Sequence, residues 1–494
     1  MNGIDIGFLI IMPLIVPLIA GLIAFIRQRW GSAAAIICSM ANCLVIPLLA
    51  AQVYFFGSYT HSLGGWTPPL GISLRLDEAA VFMLFMTAIV GTGISLYARG
   101  YFSFRIGGDR EQSRHHFQQR YFWPLWMLML AALNSLFLAG DIFNIYVILE
   151  LIGVSAAALA ALSGKPSSQI ASFRYLMVSL LGSLSYLLGV ALLYRTYAVL
   201  DLQILRSTAT AGPAVMAALT LMSIGLLLKT AIFPLHFWLP PAHANALAPV
   251  SAILSGLVVK GSFYLLFRLW FDTFATVIPP AAHTIIGILG AGAILWGAAQ
   301  ALIQQRLKLL IAYSTVSQLG YLCLLFPIIA GSDIIRGWEI VFFMAGAHAC
   351  AKSAMFMAAG SIFLQVGHDR INDLAGIRSY LPVTVFAFAI AGVNLMGLPP
   401  SGGFIAKWLM MMTSIENQNF VWAMVIMAGS LLASAYVYKV MRELFVSPAA
   451  GAYRLSRQST GLMEWPALIL AIFSLLMGMT ARFFVVFLHG GGAV

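Results

Sequence analysis

Residues 226–249 read LLLKTAIFPLHFWLPPAHANALAP. An ammonium group, Lys229, stands in an apolar run that breaks at Pro234 and again at Pro240-Pro241, and His236 and His243 follow close behind. A charged side chain at the centre of a bilayer costs from about 3 to more than 10 kcal/mol. Such a lysine must face other helices, find a partner or water, or lose its proton. Burial disfavours the charged form of an amine. A lysine can then gain and release a proton, whereas an arginine cannot. The break fits the same reading, because irregular backbone at membrane depth survives only where it lines a cavity or is packed in protein. Transporters use broken helices to hydrate and polarise a central site.

The whole chain is membrane-like. Apolar residues fill 61% of 494 positions and charged residues 9%, against about 25% charged in soluble proteins. Runs of some twenty apolar residues recur, each able to cross about 30 Å of hydrocarbon. No stretch remains for a soluble domain. Fourteen spans are expected, near 6–27, 32–56, 78–99, 121–139, 141–162, 170–197, 213–240, 248–272, 281–303, 309–330, 338–366, 383–413, 421–444 and 463–487. The acidic start Met1–Asp5 lacks a basic n-region, so the first run reads as a retained span and not a cleaved signal peptide.

Lysine and arginine set the orientation. One face collects Arg27, Arg29, Arg99, Arg105, Arg110, Arg114, Arg120, Lys165, Arg174, Arg306, Lys308, Arg370, Arg378, Lys439, Arg442, Arg454 and Arg457. The other collects Arg75, Arg195, Arg206, Arg268, Arg336 and Arg482. The richer face is expected in the cytoplasm and both termini outside. The net charge of +11 is thereby explained by basic loops, and no nucleic-acid partner is expected. Cys38, Cys43, Cys323 and Cys350 lie in apolar segments without CxxC spacing, so packing thiols are expected and no metal or cluster site. The run GILGAGAIL at 287–295 lacks the last glycine of a dinucleotide loop and lies in a span, so it reads as packing.

Four basic residues lie inside spans, and all are lysines: Lys229, Lys260, Lys352 and Lys407. Glu150 is the acid at comparable depth. A buried Glu–Lys pair can serve merely to hold two helices together. Four lysines with a glutamate and a histidine point instead to proton transfer. A second break occurs in GVNLMGLPPSGGFIAKWLM, residues 392–410, where Pro399-Pro400 and Gly402-Gly403 precede Lys407. Two interrupted spans in separate halves, each with a lysine near its break, suggest a repeated unit. Lys229 to Lys260 is 31 residues and Lys407 to Lys439 is 32, although Lys439, near a span end, reads equally as a snorkelling lysine. His348 and Lys352 in GAHACAKSAMF are four apart and share a helix face, so a neutral imidazole there can act as a relay. Ser251, Ser255, Tyr313, Ser317 and Gln318 are candidate water-holding groups.

These residues carry a family resemblance. GDIFNIYVILELIGVS (140–155), the stretch 226–270, RLKLLIAYSTVSQLGYL (306–322) and GLPPSGGFIAKWLM (397–410) resemble the proton-conducting membrane subunits shared by respiratory complex I and Mrp-type multi-subunit cation/proton antiporters, over roughly 75–445. HFWLPPAHANALAPVSA and PPSGGFIAKW look most like the D-type Mrp subunit. The resemblance implies an all-α fold of fourteen transmembrane helices, with two inverted five-helix repeats whose seventh and twelfth helices are broken. The organisation expected is residues 1–120 for helices 1–3 and a basic loop, 121–272 and 281–444 for the repeats, and 445–494 for a loop and helix 14. By position, Glu150 matches the family's helix-5 glutamate and Lys229 the lysine paired with it. Lys260 matches the connecting lysine of helix 8. His348 and Lys352 match helix-11 connecting residues, and Lys407 the terminal residue of helix 12.

The function implied is a proton-translocating subunit of a Na⁺/H⁺ antiporter in a bacterial plasma membrane, a transporter and not an enzyme. Its expected partners are other membrane subunits, lipid, protons and Na⁺, with no cofactor and no bound metal. Sodium favours oxygen ligands, and with one deep carboxylate the cation route is expected at a subunit interface or in a partner. The rival readings are a complex I-type or hydrogenase pump subunit, a proton-coupled solute or inorganic-carbon carrier, and a non-conducting scaffold.

Overall fold

A computed structural model of the chain describes residues 6–104, 109–330, 334–446 and 461–488. The start Met1–Asp5, Arg105, Arg454, Arg457 and the Arg110 side chain, used above, lie outside what is described. Among the described residues, thirteen helices are long and apolar enough to cross a membrane. The fourteenth crossing is made by two short helices, Pro382–Met396 and Gly402–Glu416.

We number the crossings in chain order. They are α1 (Ile6–Ile26), α2 (Gly31–Phe56), α3 (Glu78–Ser103), α4 (Asp109–Leu138), α5 (Ile142–Ala161) and α6 (Pro166–Tyr197). α7 is split into Pro213–Thr230 and Leu239–Asn245. Then come α8 (Ala248–Thr273), α9 (Pro280–Ile303), α10 (Leu307–Ile329), α11 (Ile334–Val366), the split α12, α13 (Phe420–Phe445) and α14 (Gly461–Met479). One addition to the all-α expectation is a two-stranded hairpin, Tyr59–Ser62 with Ser73–Leu76, between α2 and α3.

The central stretches of α8 and α11 are buried throughout and that of α10 nearly so, while α1, α2 and α13 present apolar side chains such as Leu44 and Leu431 outward. In water that surface would be a liability; against lipid tails it needs no cover. Lipid supplies no hydrophobic drive between helices, so close packing of small residues must hold them together. The glycine run read as packing does this: a Cβ on Gly290 of α9 would stand 2.7 Å from Gly320 O of α10. α6 and α7 meet similarly, with Gly182 against Gly225 O at 2.9 Å. The four cysteines are free thiols, and Cys38, Cys323 and Cys350 are buried.

The repeats are visible in the backbone. α5 opens at Asp141, which bridges Asp201 after α6; α10 opens at Arg306, which bridges Arg370 after α11. The hydrogen bonds correspond: Ile142 N to Leu200 O and Leu202 N to Gly140 O, against Leu307 N to Asp369 O and Ile371 N to Gln305 O. The first bridge lies on the face of the hairpin, where Leu74 also bridges Ala139, and the second lies on the arginine-rich face. The two five-helix units, α4–α8 and α9–α13, are therefore inverted.

The broken helices end alike. The first half of α7 stops at Ala231, φ +59°, with Ala231 N bonding Leu228 O and Ile232 N bonding Leu227 O. The first half of α12 stops at Gly397, φ +78°, with Gly397 N bonding Asn394 O and Leu398 N bonding Val393 O. Both are Schellman ends, and 231 and 397 stand 166 apart. The second half of α12 restarts at Ser401, whose hydroxyl accepts from Phe404 N at 3.1 Å.

Arginines clasp the two faces. On the hairpin face Asp77 caps α3 by accepting from Ala80 N and pairs with Arg75 at 2.9 Å and with Arg268 of α8. Asp272 pairs with Arg75 and Arg206, both at 2.7 Å. On the opposite face Arg306 pairs with Asp369 at 3.1 Å. Arg75, Arg206 and Arg268, sorted together from the sequence, thus meet around Asp77 and Asp272.

Burial alone raises the Asp77 pKa, but the charges of Arg268 and Arg75 outweigh it and hold the carboxyl below its usual range. A depressed folded-state pKa contributes stability above the unfolded value of about 4, lost as pH falls through the folded value. Asp77→Asn is expected to cost roughly 3 kcal/mol at neutral pH. Melting of the purified protein will show it, and the gap from the parent should close as the buffer becomes strongly acidic. Gly397→Ala is expected to cost about 1–2 kcal/mol of stability by straining the left-handed turn, read as a lower melting temperature. Its Cβ would also fall 2.7 Å from Lys407 Cδ. Ala231→Gly relieves the same strain and should melt no lower than the parent.

Candidate functional site

All four lysines point into the bundle. Lys229 is 9% exposed, Lys260 0%, Lys352 0% and Lys407 5%. Each donates to main-chain carbonyls or serine hydroxyls and makes no ion pair among the described residues. Lys229 Nζ, in the last turn before the α7 break, donates to Ser179 Oγ of α6 at 2.7 Å and Leu149 O of α5 at 3.3 Å. Lys260 donates to Ser255 O. Lys352 donates to Ile311 O at 3.0 Å and to Ser314 Oγ, both on α10. Lys407 reaches back across the α12 break to Leu395 O at 2.8 Å and Met396 O at 3.4 Å, and lies 4.5 Å from the Tyr321 ring centroid.

Two of the four lysines, Lys407 and Lys260, take their acceptors from helix interruptions. The last carbonyls of a helix have no partner within it and carry its partial negative charge. The α12 break exposes two of them to Lys407. In α8 the ladder shifts register through a π-helical turn at Leu254–Val258, which contains Ser255. Such turns are rare and concentrate at functional sites. The corresponding end of α7 is partly closed, because Trp238 Nε1 donates to Leu228 O at 3.0 Å.

The expected residues gather in two groups. His348 is 1% exposed with both ring nitrogens unpartnered, within electrostatic reach of Lys260, Lys352 and Lys407. Buried polar atoms without a partner are uncommon in proteins, so this unpartnered imidazole among three amines marks a polar interior. Glu150 and Lys229 form the other group. They are near enough for the carboxylate charge to act on the amine, but they are not in contact. Glu150 Oε1 is buried without a partner. Between Lys229 and α8 lies a cavity of about 10 Å³ lined by Tyr175, Val258 and Ser262, and Ser262 accepts from Thr230 at 3.0 Å.

Several residues were missed in the sequence or placed differently. Lys308, assigned above to the basic face, is 6% exposed and donates to Ala246 O at 2.6 Å, at the end of the second half of α7. It lines a cavity of about 250 Å³ on that face with Arg114, Lys165, Arg306 and Asp369. His243, already singled out in the sequence with His236 at the α7 break as a candidate for proton entry, is fully buried with both ring nitrogens unpartnered and lies within electrostatic reach of Lys308, Lys260 and Lys352. Lys439 caps α9 through Leu302 O and Gln304 O, both at 2.7 Å, which is a structural role. Of the candidate water-holding groups, Gln318 shares Leu395 O with Lys407. Ser255 pairs with Thr315 at 2.9 Å, and Ser251 and Ser317 are bonded to main chain. Ser179, Ser314 and Tyr321 had no signal beyond being polar or aromatic residues inside spans.

The family model for the NADH:quinone oxidoreductase/Mrp antiporter transmembrane region matches residues 139–433. The chain is 31% identical to the N-type subunit of the NADH-quinone oxidoreductase of Desulforudis audaxviator, with 95% of each chain covered. It is 27% identical to the D-type subunit of the Na(+)/H(+) antiporter of Alkalihalophilus pseudofirmus, covering 96% of this chain and 94% of that one. Its fold superposes on a chain of the Mrp complex from Dietzia with a TM-score of 0.86 at 23% identity, covering 98% and 96%. A family match over more than half the chain, with end-to-end relatives of this kind, places it: the protein belongs to the NADH:quinone oxidoreductase/Mrp antiporter transmembrane family.

Proposed function

We propose that the chain is the proton-translocating subunit of a multi-subunit monovalent cation/proton antiporter in a bacterial plasma membrane. The basic face is toward the cytoplasm and both termini are outside. One observation carries the reading: four buried lysines sit on or beside interrupted helices, held by neutral oxygens and not by carboxylates. Glu150, Lys229, Lys260, His348, Lys352 and Lys407 form the path. The name of the Alkalihalophilus relative supplies the cation and the coupling.

Each residue has a distinct part. Glu150 holds a proton on Lys229 when the two are in contact and lets it go when they separate. Lys260, Lys352 and His348 pass it along the middle of the membrane. Lys407 exchanges it with the outside. Lys229 takes the proton from the basic face through the break in α7, and the second half of that helix borders the cavity at Lys308. One charge moved through 100 mV is worth about 2.3 kcal/mol, so making or breaking one ion pair is enough to gate the step.

Antiport measured in everted vesicles carrying the whole complex tests this. Lys229→Ala, Glu150→Ala and Lys260→Ala should each lower the rate at least about tenfold. Lys260→Arg should be no better, since arginine keeps its proton. Full activity in Lys229→Ala or Glu150→Ala would remove the reading. A second assignment, the antiporter-like subunit of a redox pump, is favoured by the higher identity to the oxidoreductase relative. Affinity purification of the native complex separates the two. Small membrane subunits without flavin absorbance are expected, and co-purifying flavin and iron–sulfur chains would reassign it to the redox pump.

A further inference from the structure

The carboxylate and amine of the α5–α7 pair stand apart, and something holds them so. Lys229 Nζ is anchored on Ser179 Oγ at 2.7 Å, and Ser179 is 3% exposed. Leu149 O, the carbonyl next to Glu150 in sequence, takes a second N–H at 3.3 Å. Two glycines make room for this arrangement. Gly153, on the same face of α5 as Glu150, is where a Cβ would collide with Ser179 Oγ and lie 3.7 Å from Lys229 Nζ. Gly182, on the Ser179 face of α6, is where a Cβ would stand 3.2 Å from Lys229 Cγ. The lysine therefore has two side-chain acceptors to choose between, a carboxylate on α5 and a hydroxyl on α6.

We propose that Ser179 is a positioning residue of the proton path: it is the alternate acceptor that draws Lys229 off Glu150 and so lets the pair open. This rests on the conduction reading above. A hydroxyl accepts from an ammonium and donates to a neutral amine, so Ser179 serves Lys229 before and after the proton leaves. A carboxylate serves only the ammonium. Without the hydroxyl, an ammonium leaving Glu150 would keep one main-chain carbonyl, and an under-satisfied buried charge is costly. Lys229 would then stay on the carboxylate. The titratable groups facing it are Glu150 from α5 and Tyr175 from α6, while α8 offers uncharged Val258 and Ser262.

The experiment is antiport against pH in everted vesicles carrying the complete complex. Ser179→Ala keeps the Cβ and removes one oxygen. It is expected to slow antiport about tenfold near neutrality and move the pH optimum up by about one unit, because the closed pair holds its proton more firmly. Ser179→Thr, which restores the hydroxyl, should return both rate and optimum to within about twofold of the parent. Gly153→Ala, which displaces the hydroxyl without deleting it, should shift the optimum in the same direction and carries the test if Ser179→Ala does not accumulate. A parental pH profile in Ser179→Ala, or no rescue by threonine, overturns the inference. Lys229→Ala, run alongside, separates the two ideas. If it is inactive while the Ser179→Ala profile stays parental, this inference alone fails. If it is active, the conduction reading fails and takes this inference with it.

Discussion

Everything in the interior answers to one constraint: amines at membrane depth must be solvated by the protein itself. Water is scarce there, and an unpaired cation is expensive. Arginine meets acids on the two faces of the molecule, as at Asp77, Asp272 and Asp369. The deep lysines meet neutral oxygens. Lys407 takes the carbonyls at the end of a half-helix, Lys260 a carbonyl inside a π-helical turn, and Lys352 and Lys229 a serine hydroxyl each. A neutral acceptor stabilises an ammonium less than a carboxylate does. It holds the amine in place without fixing its proton there, which is what a relay needs. The interruptions in α8 and α12, together with the serines of α6 and α10, are in this sense the solvent of the lysines.

The inverted repeat explains where the interruptions fall. The two units share matching bridges at the starts of α5 and α10 and matching Schellman ends at Ala231 and Gly397. They differ in which half of the broken helix carries the amine. Lys229 precedes its break, and Lys407 follows its own. The position 166 residues beyond Lys229 is Leu395, whose carbonyl holds Lys407. Both amines thus lie at the broken helix of their unit, one carried on the first half-helix and one reaching back from the second.

Much of this was legible in the sequence. Fourteen spans, two breaks and the inward lysines follow from apolar periodicity, proline pairs and the cost of burying charge. The matching positive-φ turns were half hidden, because a glycine marks one at 397 and an alanine conceals the other at 231. The π turn in α8 had no local cue; LSGLV reads as ordinary apolar helix, and the register shift depends on the buried neighbours of α8. Lys308 looked like a face residue because it sits two positions from Arg306, yet the second half of α7 folds over it. Pairing Glu150 with Lys229 was a reasonable inference from charge alone. Charge does not say which of several acceptors an amine occupies at a given moment, and Ser179, one serine among several in α6, carries no sign of it.

The same oxygens bear on what can pass. A sodium ion needs oxygen ligands, and the carbonyls and hydroxyls along this axis are already engaged by ammonium groups. Another cation set about 4 Å from one of them would be repelled by about 4 kcal/mol at an effective dielectric constant of 20. A proton avoids this penalty because it arrives on the amine and leaves from it, so no second charge has to stand beside the first. On the proposed reading, an axis of lysines is selective because it is built from the cation it conducts. On the same reading the metal ion needs carboxylates or free carbonyls to cross, and the expectation remains that these lie at the boundary with another subunit.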